Sequence, residues 1–230
     1  PIAFYSNKNI QDIPFKKEGI ELVLECSGYF GDPKIKDKSI ELKPKDNLSN
    51  AFLTQGVKKV IQTYPATANA TLIMGVNHES YDPISDNIIS NVSCTTKALA
   101  APLQVLLNNG IYIDALSMDT THAATASQEI LASLGQILTH STGAAKATGM
   151  VIPSLNDRMS GMAYRVPTLD GSFANMYFVA ISDEKLSEKI LNDLIIKNLN
   201  NPKYANRLGI FEGKDAGTFD IVGRRENAVI

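Results

Sequence analysis

Cysteine is scarce in this 230-residue chain, which holds only Cys26 and Cys94. They form no CxxC pair and have no histidine at ligand spacing, so no zinc module is expected. Two isolated cysteines also exclude a disulfide framework, and the expected setting is a reduced, cytoplasmic compartment. Histidine occurs three times, as His78, His122 and His140, and these do not suggest a metal site. An excess of one charge is missing too: the net charge is −2, which leaves no electrostatic footprint for nucleic acid or an anionic membrane. Long apolar runs are absent. "IELVLEC" and "TLIMGV" fall far short of a membrane span, and no secretory leader is expected from the opening residues. There is no internal repeat and no low-complexity block. What remains is 44% hydrophobic and 20% charged, an ordinary globular composition with enough chain for one large domain or two small ones. Pro1 in place of an initiator methionine, and "NAVI" stopping within a strand pattern, give the expectation of a fragment.

Along the chain, "IELVLEC" (20–26) reads as a buried parallel strand closed by Ser27-Gly28. The lysine-rich stretch 31–47 carries two prolines and reads as an exposed excursion. "LSNAFLTQG" is a short helix with Gly56 as its stop. "VKKVIQTYP", "ATLIMGV" and "NIISNVS" supply further strands, so the first part is α/β. A boundary is expected at Cys94, giving domains 1–93 and 94–230. "TTKALAAPLQVLLNNG" then forms a helix ended by Gly110, with Pro102 expected to kink it. "YIDALSMDTTHAATAS" alternates as a strand and puts Leu116, Met118, Thr120 and His122 on one face. "GMAYRVPTL" and "FANMYFVAI" are strands whose Asp170-Gly171 link signals a hairpin. An amphipathic helix follows, capped by Ser182, with Ile190, Leu191, Leu194 and Ile195 as its stripe. The second part therefore reads as α+β.

Cys94 stands at the start of a helix, whose free N–H groups and partial positive charge favour a thiolate. A helix running away and a strand running back return His122 to the level of Cys94, where an imidazole would act as base. Backbone N–H groups beside Thr95 and Thr96 are placed to hold an oxyanion. Spacing alone leaves the alternative open that Cys94 is a small packing residue, which is how Cys26 reads. "THSTGAAKATG" offers hydroxyls, Gly143 and a short helix start to an anion, or is simply a capped helix. Arg165, a charge in an apolar strand, is either half of an ion pair or a phosphate fork.

Taken in order, "IELVLECSGYF", "IMGVNHESYD", "SNVSCTTKAL", "TTHAATASQ" and "STGAAKATGMVIPSLNDRMSGMAYRVPT" resemble the glyceraldehyde-3-phosphate dehydrogenase family over most of residues 8–182. The resemblance implies part of a Rossmann-type NAD-binding domain over 1–93, then an α+β catalytic domain with a mainly antiparallel sheet. It implies an NAD(P)-dependent, phosphorylating aldehyde oxidoreductase of EC 1.2.1 type, working in glycolysis or gluconeogenesis. Glyceraldehyde 3-phosphate, NAD or NADP, and inorganic phosphate would give 1,3-bisphosphoglycerate through a hemithioacetal and a thioester on Cys94. His122 would be the base. Phosphate would meet Ser93, Thr95, Thr125, Ser127, Thr142, Gly143 and Arg165. The cofactor would meet Lys8, Ser27, Gly28 and Thr63. A cytoplasmic homo-oligomer, tetrameric in the family, is implied.

Departures from the pattern sharpen these expectations. No GxGxxG follows an opening strand, so the unit that cradles the pyrophosphate is not in this sequence. "QEILASLGQILTH" is shorter than the family's loop after the histidine and lacks its basic residues, which thins the expected interface. An extra alanine in "ALAAPL" would turn the rest of the helix by about 100° unless a bulge absorbs it. Lys97 stands where the family typically carries Asn. Two alternatives stay beside the main reading: a dehydrogenase for another phosphorylated aldehyde such as erythrose 4-phosphate, and a degenerate, non-catalytic paralogue.

Overall fold

The computed structural model describes residues 3–7, 9–30, 47–125 and 135–230. Lys8, Ser127, the excursion at 31–46 and residues 128–134 of the shortened loop lie outside them. The chain divides into two compact units, one of Pro1–Ile73 with Asn77–Ser93, the other of Met74–Val76 with Cys94–Ile230.

In the first unit, β1 (Leu22–Glu25), β2 (Lys59–Gln62), β3 (Ala70–Thr71) and β4 (Ile88–Ser90) form a parallel sheet in the order β1-β2-β4-β3. Helix α1 (Asn50–Thr54) enters β2 through Gly56 at φ +91°. There the N–H groups of Gly56 and Val57 reach back to the carbonyls of Leu53 and Phe52, a closure that needs a left-handed residue. Phe52, Val57, Val60 and Ile88 form the core, with Phe15 and Phe30 packed around them. Two sequence expectations change here. β1 is parallel but lies at the sheet's edge, so Leu22 and Leu24 are 52% and 62% exposed and the run is not buried on both faces. Cys26, just past its end, is exposed rather than packed.

The second unit opens with α2 (Cys94–Asn108). Its Leu99, Leu103, Val105 and Leu106 are buried, and Gly110 (φ +79°) ends it, with the N–H groups of Gly110 and Ile111 closing on the carbonyls of Leu107 and Leu106. Pro102 and the extra alanine both lie inside one continuous α-helix. β5 (Tyr112–Ala123) returns along the unit, with Leu116, Met118 and Thr120 buried on the face that carries His122. β6 (Leu138–Ser141), α3 (Ala144–Val151), β7 (Met159–Val166) and β8 (Ser172–Ile181) follow. β6 occupies the end of what reads as loop in the sequence.

The sheet runs β6-β7-β5-β8. β5 pairs parallel with β7, while β5–β8 and β6–β7 are antiparallel, so the sheet is mixed. The Asp170-Gly171 turn does not close a hairpin, because β5 lies between β7 and β8. Their link straddles the end of β5 instead: Ala124 N–H donates to Val166 O and Ala123 N–H to Gly171 O, each within 3.1 Å. α4 (Glu188–Asn198) is capped by Ser187, whose hydroxyl accepts from Ile190 N–H, and not by Ser182, which serves a separate turn at Glu184. β9 (Leu208–Gly209) and β10 (Ala228–Val229) form a short parallel pair. Ala101 and Val105 of α2 pack against Ile195, Tyr204 and Leu208, which ties the helix that starts at Cys94 to the unit's core.

Candidate active site

Cys94 is the first residue of α2, and its thiol is exposed. Its Sγ lies 3.3 Å from His122 Nε2, close enough for a shared proton. Thr95 adds its hydroxyl at 3.9 Å. The hydrogen bond from His122 is the main reason that the thiol falls from an ordinary 9.0 to about 7; burial opposes it, and the imidazole charge and Thr95 assist. His122 moves the other way. Its bond to Cys94 raises it, burial opposes, and the carbonyl of Ala123 and the charge on Cys94 add to the rise. The Sγ–Nε2 hydrogen bond is the first cause of both shifts, so the two groups titrate as a pair.

The sheet sets the next neighbour. In the parallel β5–β7 register His122 stands beside Arg165, and Arg165 Nη1 comes within 2.7 Å of His122 Nδ1. Nδ1 is also 2.7 Å from Ala123 O, which accepts from Arg165 Nη1 at 3.1 Å. Two protonation states use this triangle differently. When Nδ1 carries a proton it donates to Ala123 O, and Nε2 is set toward sulfur. When Nδ1 is bare it accepts from Arg165. The guanidinium therefore opposes the imidazolium. Arg165 Nε is buried without a partner, so one donor of this side chain is uncommitted.

The remaining expected residues are spread more widely. Thr125 follows β5 and is exposed. Thr142 and Gly143 open α3, where Thr142 Oγ1 accepts from Ala144 N–H at 3.2 Å; neither is hydrogen bonded to the Cys94–His122 pair. In the first unit, Ser27, Gly28 and Thr63 stand at the carboxyl ends of β1 and β2. Thr63 N–H donates to Glu25 O at 3.0 Å, Ser27 is bonded to the Glu25 carboxylate, and Gly28 has φ +73°. Ser93 directly precedes Cys94 and closes that unit.

Other features carried no clear sequence signal. Val92, two residues before Cys94, has φ +45°, a strained conformation for a β-branched residue. Cys94 opens on a cavity of about 530 Å³ walled by Pro102, Phe173, Met176, Phe211 and Lys214. Among the described residues no cluster of three or more His, Cys, Asp or Glu side chains is arranged to hold a metal ion. No helix among them is long and apolar enough to cross a membrane.

The family model for the glyceraldehyde 3-phosphate dehydrogenase C-terminal domain matches residues 93–228. The glyceraldehyde-3-phosphate dehydrogenase of Chlamydia pneumoniae is 34% identical over 243 aligned residues, which cover 99% of this chain and 67% of that protein. The cytosolic enzyme of that name from Chlamydomonas reinhardtii is 41% identical over 187 residues, covering 76% of this chain and 51% of its own length. Glyceraldehyde-3-phosphate dehydrogenase 2 of Caenorhabditis elegans is 39% identical with the same coverage, 76% and 51%. The chain thus spans 67% of the chlamydial relative and about half of the other two. With Cys94 and His122 in contact at the head of α2 and these matches across both units, the chain belongs to the glyceraldehyde-3-phosphate dehydrogenase family of nicotinamide-dependent oxidoreductases.

Proposed function

We propose that this chain carries the reaction centre for phosphorylating oxidation of glyceraldehyde 3-phosphate, with Cys94 as nucleophile and His122 as base. The observation that supports it best is the 3.3 Å approach of Cys94 Sγ to His122 Nε2 at a helix start. In this reading the thiolate attacks the aldehyde carbon, a C–S bond forms, and the carbonyl π pair moves to oxygen. The first N–H groups of α2 hold that charge and the His122 imidazolium gives the oxygen its proton, which makes the hemithioacetal hydroxyl and leaves His122 free to act as base. His122 then takes the hydroxyl proton as the hydride leaves carbon, and a thioester remains on Cys94. Inorganic phosphate attacks the thioester carbon and the thiolate departs, giving the acyl phosphate. Ser93, Thr95, Thr125, Ser127, Thr142, Gly143 and Arg165 are proposed to serve the two phosphate groups. Hydroxyls, N–H groups and one guanidinium are suitable donors for them.

The hydride acceptor would be the nicotinamide ring of NAD or NADP. Ser27, Gly28 and Thr63 fit one flank of such a ligand: they sit at the carboxyl ends of neighbouring parallel strands, where dinucleotides bind, and open space beside Gly28 admits a close backbone approach. Lys8 joins them as a proposal from the resemblance. On this reading residues 1–93 are the C-terminal part of a dinucleotide-binding domain and 94–230 the catalytic domain. A homo-oligomer is part of it: β8 turns Tyr177, Val179 and Ile181 outward on one sheet face, all exposed, where a second copy would cover them. A cytoplasmic site of action follows the printed name of the algal relative.

Activity is tested by following reduced cofactor at 340 nm with glyceraldehyde 3-phosphate, phosphate and either NAD or NADP, against Cys94→Ser. Turnover that is lost in Cys94→Ser supports the reading. Equal rates in both proteins would sink it. Faster turnover of erythrose 4-phosphate in competition would move the assignment to that aldehyde, and an inert chain would favour the degenerate paralogue.

A further inference from the structure

We propose that Lys97 is a positioning residue, a second cation that holds negative charge at Cys94 independently of His122 and draws anionic electrophiles to the sulfur. Lys97 lies three residues after Cys94 on α2, so both side chains share one helix face about 5–6 Å apart at Cβ. Helical side chains lean toward the helix N-terminus, which brings the lysine stem back over the turn that begins with Cys94.

Its position is unfavourable for the helix itself. A cation near an N-terminus opposes the macrodipole, and the first turn contains no acidic residue to offset it. Lys97 is also half-buried, and its ammonium has no hydrogen bond or ion pair among the described residues. Burial pushes its ammonium below the ordinary range, and the charge on Cys94 acts in the opposite sense. A desolvated, unpaired ammonium at the wrong end of a dipole is a local cost, and a thiolate one turn away offsets it. The other charged groups facing this region are His122 and Arg165 from the sheet, and Lys214 with the Arg224–Glu226 pair across the cavity. The guanidinium opposes the imidazolium, so a cation on α2 supports the thiolate when His122 loses its proton.

This inference rests on Cys94 being the nucleophile of the proposed reaction, but its test needs no turnover. Alkylation of the Cys94 peptide by neutral iodoacetamide and by anionic iodoacetate is followed by mass spectrometry across pH 5–9, which separates it from Cys26. In Lys97→Met the iodoacetamide midpoint should rise by about half a pH unit, about a threefold loss of thiolate below it. The iodoacetate to iodoacetamide rate ratio should fall by about threefold at low salt, and less at high salt. Lys97→Arg should restore both. An unchanged midpoint and ratio in folded Lys97→Met, or in Lys97→Gln where the methionine variant does not fold, overturns the proposal. So does an equal change in Lys97→Arg, which would mean packing rather than charge. A charge effect on alkylation in a protein without dehydrogenase activity would keep this inference and remove the reaction assigned above.

Discussion

A thiol that titrates near 7 is about half thiolate in neutral water. Cys94 therefore should alkylate with a midpoint at about pH 7, its rate falling as pH drops below that value because the proton returns to sulfur. Removing the imidazole takes away the largest cause of the shift, so His122→Asn should move the midpoint toward 9.0. The same variant should lower turnover by about 10²–10⁴, the range for a lost general base. Stopped-flow alkylation and steady-state rates check these separately, and a midpoint unmoved in His122→Asn would refute the pairing. Spacing made this pair possible, since one helix leading out and one strand leading back can meet, and the family resemblance selected it over a packing cysteine. Arg165 was legible as an odd charge in an apolar strand, but not as a neighbour of His122. That contact depends on a parallel register between residues far apart in the chain, which local spacing does not encode.

At the scale of elements, the β5–β7 pairing is held close by Gly161. It stands opposite Met118, where an added Cβ would approach the Met118 sulfur to 2.5 Å and its carbonyl oxygen to 3.0 Å. Gly161→Ala should therefore destabilise the fold by about 1–3 kcal/mol, the usual range for overpacking. Urea unfolding measures the loss, and faster amide exchange in β5 and β7 locates it. Element types were readable from alternation and helix periodicity, and Gly56 and Gly110 marked their helix ends because a left-handed residue is needed there. Partners were harder to read. Asp170-Gly171 has the composition of a hairpin turn, yet that composition fixes only a reversal of direction, and a reversal is equally satisfied by stepping over β5. Ser187 took the cap that Ser182 was expected to fill because "SDEKLSEK" offers two serines, and the start of the buried stripe decides between them.

For the whole molecule, the outward face of β8 is the feature with a measurable consequence. Tyr177 and Val179 are 62% and 60% exposed beside Ala115 and Ser117 of β5, in a groove of about 520 Å³. If copies associate through this face, Tyr177→Asp with Val179→Asp should reduce the sedimentation coefficient to that of a single chain. Cys94 should keep its reactivity, since those side chains point away from the face that carries His122. A sedimentation coefficient identical in parent and variant would place the contact elsewhere. The near-neutral composition gave no electrostatic footprint for nucleic acid or an anionic membrane, but it could not show which sheet face stays bare, because that depends on where the helices pack.

The insertion of β5 between β7 and β8 also sets an order of events during synthesis. Helix α2 and β5 leave the ribosome first, yet β5 has neither neighbour until residues 159–181 have followed, and such distant pairings form late. Arg165 and the straddling turn at Gly171 arrive in the same interval. A nascent chain halted before β7 would thus carry Cys94 as an unremarkable thiol. Its reactivity should switch on when the central strand is flanked, and the rate of thiol labelling would then be a clock for completion of the sheet.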